Sequence, residues 1–209
     1  MNHFLHKQLR IVLFWVAICV FIPAQAQVVS KTYSDSWGKQ GFNLSSTKSN
    51  GIEVIYSVNE FSVNEVVEKG INWHSVSTPG IFLFADAGKP ELPSSGRYIA
   101  IPKGAKAQLR VLDSRYETFK GIDIMPSAAI PFDTQDETAD RQKDLSIYEK
   151  DAFFPTEAAT ISEVTQIRGI DVVMLGISPF QYNPVTRELK VLRDIKVELT
   201  YDQGKGYYA

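Results

Sequence analysis

Cysteine is almost absent from this chain: Cys19 is the single thiol in 209 residues, inside an apolar N-terminal run. Histidine is nearly as scarce, at His3, His6 and His74. Lys7 and Arg10 make a basic start, residues 11–22 are unbroken apolar, and Ala24-Gln25-Ala26 is a small-x-small cleavage site. Residues 1–26 therefore read as an export signal, and cleavage after Ala26 leaves Gln27 first. A lipoprotein signal ending at Cys19 is the competing reading, but it puts bulky Ile18 where a small residue belongs. Without the signal no thiol remains and His74 is the last histidine. That excludes a Cys/His dyad, a disulfide and a multi-histidine metal site within the exported chain. A Ser-His-Asp arrangement would have to rest on His74, in Asn72-Trp73-His74-Ser75, and no Gly-x-Ser-x-Gly elbow is present. A histidine in such a strand-like segment reads as a partly buried structural residue. The chain is not expected to be a catalyst.

Other absences narrow the class further. No segment after the signal approaches the ~20 apolar residues of a membrane-spanning helix. A basic surplus is missing too: removal of Lys7 and Arg10 leaves 20 basic against 24 acidic residues, and the formal charge moves from −2 to −4. A mild acidic balance spread along the chain argues against a nucleic-acid partner. There is no internal repeat and no low-complexity tract. No stretch holds a 3.6-residue period over three turns, the best short candidate being residues 137–148.

What is present is a period of two. Val54, Tyr56 and Val58 alternate with Glu53 and Ser57, and similar runs recur at residues 98–101, 108–112, 172–175, 189–192 and 195–201. Thr78-Pro79-Gly80, Gly88-Lys89-Pro90, Pro93-Ser94-Ser95-Gly96, Pro102-Lys103-Gly104 and Gly169 punctuate them. Short alternating strands with such punctuation predict an all-β fold, an antiparallel, jelly-roll-like β-sandwich, with less than about a quarter of the exported residues in helix. Roughly 180 residues can bury about 70% of their unfolded surface in one domain. The expected organisation is a signal at 1–26, a polar segment at 27–50 with at most one early strand, the domain at 51–202 and a tail at 203–209. Asn183-Pro184 marks a reversal predicted to join residues 172–177 to residues 189–192 in a hairpin.

Residues 127–151 break the rhythm. Pro126 and Pro131 restrict the backbone, and Asp133, Asp136, Glu137, Asp140, Arg141, Lys143 and Asp144 make the segment strongly charged. Its plain reading is a solvated loop or a short surface helix. The acids could offer oxygens to Ca²⁺, but the central Gly and terminal Glu of an EF-hand are missing, so no metal is expected. Arg168-Gly169-Ile170-Asp171 is not an adhesion tripeptide, and its Gly turns or bulges the chain. Trp37 and Trp73 read as packing residues, not as a sugar platform.

Four ordered blocks carry a more specific signal: Gly88-Lys89-Pro90-Glu91-Leu92-Pro93, Ile99-Ala100-Ile101-Pro102, Phe153-Phe154-Pro155 and Ser178-Pro179-Phe180-Gln181-Tyr182-Asn183-Pro184. Together they resemble the propeptide domain of gingipain-type cysteine peptidases, secreted zymogens of the caspase-like clan. The resemblance implies a non-catalytic prodomain that assists folding of a cysteine peptidase domain and keeps it latent. It implies no cofactor, a peptidase catalytic domain as partner, in the same precursor or separate, and a secreted, periplasmic or cell-surface location. It also implies an inhibitory loop whose basic residue fills the specificity pocket of Arg- or Lys-specific members. By the family pattern that position falls on Asp133, a departure, because an acid facing a pocket carboxylate is repelled. Two accounts stay open. The cognate peptidase has another primary specificity, or the register slips and Arg141 or Lys143 is the plug. An exported module binding carbohydrate or a cell-surface partner is the alternative from another class. A His and a Cys nucleophile encoded beyond Ala209 would favour the prodomain.

Overall fold

A computed structural model describes residues 29–81, 86–128, 141–202 and 204. The alternating runs become twelve strands: β1 (Val29–Thr32), β2 (Gly41–Lys48), β3 (Gly51–Ser57), β4 (Glu60–Glu68), β5 (Ile71–Ser77), β6 (Ser95–Ala100), β7 (Lys106–Lys120), β8 (Ala159–Ile161), β9 (Thr165–Ile167), β10 (Ile170–Ile177), β11 (Phe180–Asn183) and β12 (Glu188–Asp202). The helix among the described residues is the single turn α1 (Leu145–Tyr148), whose Ser146 N–H donates to the capping Asp144 side chain. Strand makes up 60% of the structure, and every ladder among the described residues is antiparallel, as the alternation predicts. Of the candidate helix at 137–148, only its last turn is helical among the described residues.

Three sheets share one core. One has the order β1-β4-β5, and another the order β6-β10-β8 with β9 also on β10. The largest is built on β12, whose 15 residues pair with β7 along one side. On its other side β12 pairs first with β11, through Leu189 and Val191, and then with β3, from Asp194 onward. Strand β2 continues the sheet beyond β3. The inward residues of β12, among them Leu189, Val191, Ile195 and Val197, join Tyr56, Val63, Leu175, Ile177 and Tyr182 in the main cluster. Phe61 of β4 is its aromatic hub, edge-on to Phe119 at 5.6 Å and to Phe180 at 5.7 Å. A smaller cluster of Ile101, Ala105, Val173 and Leu199 closes one end.

The change of partner along β12 needs a local break in the ladder. It falls at a bulge between Leu192 and Asp194, where Arg193 is the extra residue, and the Arg193 carbonyl accepts from Val58 N–H at 2.9 Å. Asp194, fully buried, is satisfied from four directions. Its Oδ1 accepts from Ser57 Oγ (2.6 Å) and Trp37 N–H (2.9 Å), and its Oδ2 accepts from Arg115 Nε (3.0 Å) and Nη2 (2.5 Å). Arg115 also stacks on the Trp37 ring and reaches Asp35, which Arg193 grips at 2.6 Å. The residues between β1 and β2 are thereby fastened to β12.

Two expectations need correction. The hairpin predicted between residues 172–177 and 189–192 does not form: β10 belongs to another sheet, and the Asn183-Pro184 turn joins β11 to β12. Ser178-Pro179 carries the chain between sheets; Pro179 has no N–H to donate, and its carbonyl accepts from Leu192 N–H at 2.7 Å. The turn itself closes as expected, with Asn183 Oδ1 accepting from Val185 and Thr186 N–H. Residues 27–50 hold two strands instead of at most one, because β2 is paired along its whole length with β3. Lys69 and Gly70, both in left-handed conformation, turn the β4–β5 hairpin, which lies outside the alternating runs named above.

Asp194→Asn leaves the half-buried Arg115 guanidinium facing an amide and unsettles the buried bonds from Ser57 and Trp37, so it should cost about 1–3 kcal/mol in urea unfolding. Arg110→Ala, which removes an exposed ion pair with Glu198, should change stability little. On the open face of the sheet, hydrogen bonds from Lys196 and then Lys48 pull the Glu53 carboxyl down to about 2. A depressed folded pKa contributes stability above the ordinary value of 4.5 that is lost as pH falls toward 2. Glu53→Gln should therefore flatten the stability profile between those two pH values.

Candidate functional site

Gly88 holds both ends of the acidic segment. Its φ of +83° is left-handed, and Lys89 N–H closes the turn onto Asp86 O at 3.1 Å. On the incoming side, Gly88 N–H donates to Ser127 O (2.9 Å), Ser127 N–H to Lys89 O (2.8 Å) and Glu91 N–H to Met125 O (2.9 Å). On the outgoing side, Asp144 N–H donates to Gly88 O at 2.9 Å. A β-carbon on residue 88 would lie 2.9 Å from Gln142 O and 3.3 Å from Asp144 N, so the close approach of the two stems requires glycine. Residues on both sides of 129–140 thus meet at one peptide unit.

Two basic side chains reinforce the clamp. Arg141 makes ion pairs with Glu68 of β4 (3.0 Å) and Glu91 (2.5 Å), and donates to Pro126 O at 2.8 Å. It is a planar fork spanning three pieces of chain. Lys143 sits 4.8 Å from the Trp73 ring and 4.9 Å from the Tyr148 ring, a cation–π sandwich that covers Trp73. Tyr148 donates to Ile124 O at 3.0 Å, and burial pushes its phenol pKa well above the ordinary range. Of the sequence-predicted site residues, the structure brings Arg141 and Lys143 together at this base, engaged with the body. Asp133 lies outside the described residues, as do Asp136, Glu137 and Asp140.

His74 belongs to the same base, in the structural role read from the sequence. Its N–H donates to Asp123 O (2.7 Å), its carbonyl accepts from Met125 N–H (3.2 Å), and its Nδ1 accepts from Asp123 N–H (3.0 Å). It fixes the incoming stem to β5. No group of three metal-ligating side chains occurs among the described residues. Glu68, Glu91 and Trp73 are the participants that sequence reasoning missed. Their signal is long-range, and only the Gly-Lys-Pro punctuation pointed here.

Three of the four ordered blocks also share one pocket of about 170 Å³. Lys89, Pro90, Leu92 and Pro93 form one wall, Phe154 and Pro155 another, and Ser178 and Phe180 the third. The Phe154–Pro155 peptide is cis, and Phe154 exchanges two 2.8 Å backbone hydrogen bonds with Tyr182. Gln181, buried, donates to Pro155 O at 2.8 Å. Gly169, with Arg168, makes the tight turn between β9 and β10. Trp37 and Trp73 pack against cations as described. Among the described residues, no helix is long and apolar enough to cross a membrane.

Comparison with known proteins places these features in context. The family model described as Propeptide_C25 matches residues 38–206. Lys-gingipain HG66 of Porphyromonas gingivalis is 29% identical over 154 residues, and gingipain R1 of the same organism is 28% identical over 166. Those matches cover 70% and 78% of this chain, but the chain spans only 9% and 17% of the two proteins. A solved structure concerned with the zymogenic latency of gingipain K from Porphyromonas gingivalis superposes with a TM-score of 0.71 at 25% identity, covering 86% of this chain and 100% of that one. A complex of the RgpB pro- and mature domains of that organism gives 0.70 at 21%, covering 80% and 90%, and bears on fold alone.

Gly88→Ala combines a left-handed φ with a backbone clash and should cost more than the ~1–2 kcal/mol of the conformation by itself. Gly104→Ala, at φ +74° with open space around it, supplies the conformational cost alone. Urea unfolding of both variants separates the terms: equal losses would mean that the stems are not in tight contact with Gly88.

Proposed function

The chain belongs to the Propeptide_C25 family, and from that premise we propose that it is the prodomain of an exported gingipain-like cysteine peptidase. In this reading residues 1–26 direct export, and the domain assists folding of the peptidase and holds it latent until the connection is cut. The prodomain itself is not the catalyst. The observation that carries the proposal is the clamp at Gly88, which fixes both stems of an acidic segment in a member of a propeptide family. A segment fixed at both ends can block a cleft at lower entropic cost than a free one, because less conformational freedom is lost on binding.

Charge supports the choice of plug. Residues 129–140 contain no Lys or Arg but include Asp133, Asp136, Glu137 and Asp140. Arg141 and Lys143 already hold partners on the body. With the family pattern placing the plug at Asp133, this supports the reading in which Asp133 is the residue presented to the cleft and the cognate peptidase accepts acidic side chains where Arg- or Lys-specific relatives accept basic ones. The cognate peptidase here means the cysteine peptidase domain encoded in the same reading frame or genome.

The test is inhibition of that peptidase by the full chain and its variants. Asp133→Ala should weaken inhibition by roughly 30-fold to several-thousand-fold, the ~2–5 kcal/mol lost when one partner of a buried charge contact is removed. Lys143→Ala should change inhibition by no more than about fivefold. A large loss at Lys143 or Arg141 with none at Asp133 would assign the plug to a basic residue. Peptide hydrolysis by the chain alone, abolished by His74→Ala, would overturn the proposal altogether.

A further inference from the structure

The incoming stem of the acidic segment is bonded to β5 through His74, and one of the three bonds differs in kind. His74 N–H to Asp123 O (2.7 Å) and Met125 N–H to His74 O (3.2 Å) join backbone to backbone. Neither changes with pH. The third runs from Asp123 N–H to the ring Nδ1 at 3.0 Å. It exists only while the ring is neutral, with its proton on Nε2, because an imidazolium carries a donor on both nitrogens. A proton on Nδ1 would set two N–H groups against each other. Histidine is the side chain whose ordinary charge change falls between about pH 5 and pH 8.

The surroundings admit the proton and receive the charge. His74 is half-buried, so solvent reaches it. Directly opposite on β4, and on the same face of the hairpin, stands Glu65, an exposed acid. From the stem comes Asp123, whose carboxylate accepts from the Tyr182 hydroxyl at 3.4 Å and lies 3.8 Å from Arg187. Tyr182 and Tyr148 keep their protons throughout, because burial raises both phenols. Lys143 on Trp73 and Arg141 on Glu68 belong to the other face of the hairpin. We propose that His74 is a proton-operated latch: neutral, it holds the incoming stem to β5, and protonated, it releases the Asp123 amide and favours Glu65. The neutral ring is the bonded form, so the latch holds fully above the histidine range and weakens as pH falls through it. The same stem carries Ser127, whose backbone bonds reach Gly88 and Lys89, so slackening at His74 is passed to the clamp. This rests on the functional reading above and adds a condition to it: acidification weakens latency before any peptide bond is cut.

Amide hydrogen exchange of the full chain reads the latch without the peptidase. Between about pH 7.5 and about pH 5.5, protection of the Asp123 amide should fall at least about fivefold more than that of Val58, each corrected for its intrinsic rate. Val58 serves as reference because its N–H bonds the Arg193 carbonyl and no titrating ring. His74→Asn offers an acceptor oxygen in place of Nδ1 and cannot take up the charge, so it should lose that difference. Inhibition of the cognate peptidase by the wild type should weaken at least about fivefold more over the same range than inhibition by His74→Asn. The peptidase's own titration is common to both. Wild-type Asp123 protection that does not fall relative to Val58 would overturn the inference, and this result needs no variant to fold. The same fall in His74→Asn, or equal losses of inhibition by the two chains, would also overturn it, and each leaves the functional reading intact. A chain whose latch responds to pH but which inhibits the peptidase at neither pH would overturn the functional reading, and the consequence for latency with it.

Discussion

The buried carboxylate of Asp194 stands where β12 exchanges β11 for β3, and the sandwich depends on its being satisfied there. A charge without water is costly unless every lone pair finds a donor. Ser57, Trp37 and Arg115 supply those donors from three separate parts of the chain. The consequence is positional: β3, β7 and the residues leading into β2 can meet only in one register around the bulge at Arg193. Tandem pairing on β12 then sets β11 beside Phe154 and Pro155, and that in turn shapes the pocket wall next to Gly88. The loop base is thus held by contacts that begin far from it.

Much of this was legible in the sequence, for a physical reason. Strands such as β3 and β12 bury alternate side chains, so Val54, Tyr56, Leu189, Val191, Ile195 and Val197 announce themselves by period. Asn183-Pro184 and Gly169 announce turns by backbone preference alone. Interactions between distant residues were not legible. Arg115 and Asp194 look like unrelated charges until the β7–β12 ladder brings them together. Arg141 and Lys143 read as solvated loop charges because nothing local shows Glu68, Glu91 or Trp73 waiting for them. Gly88 read as punctuation, whereas its need for glycine comes from the Gln142 carbonyl and Asp144 amide pressing against it. Apolar β10 and β11 lie close in sequence, so period alone does not separate them, and only Pro179 signals that the chain leaves one sheet for another.

The features that tie this chain to gingipain propeptides lie in the scaffold. Gly88-Lys89-Pro90-Glu91-Leu92-Pro93, Phe154-Pro155 and Ser178-Pro179-Phe180 build the base that holds two stems together. A rigid base with a changeable tip is how loops on fixed frameworks acquire new specificity. Residues 129–140, between the two stems, include Asp133, Asp136, Glu137 and Asp140 and no Lys or Arg.

Latency is the central claim, and titration tests it most directly. The full chain would be added in increasing molar ratio to the separately purified cognate cysteine peptidase, with turnover of a peptide substrate followed throughout. The account predicts that activity falls to near zero at one chain per peptidase and returns when the chain is proteolysed. Undiminished turnover in the presence of a molar excess of folded chain would contradict it.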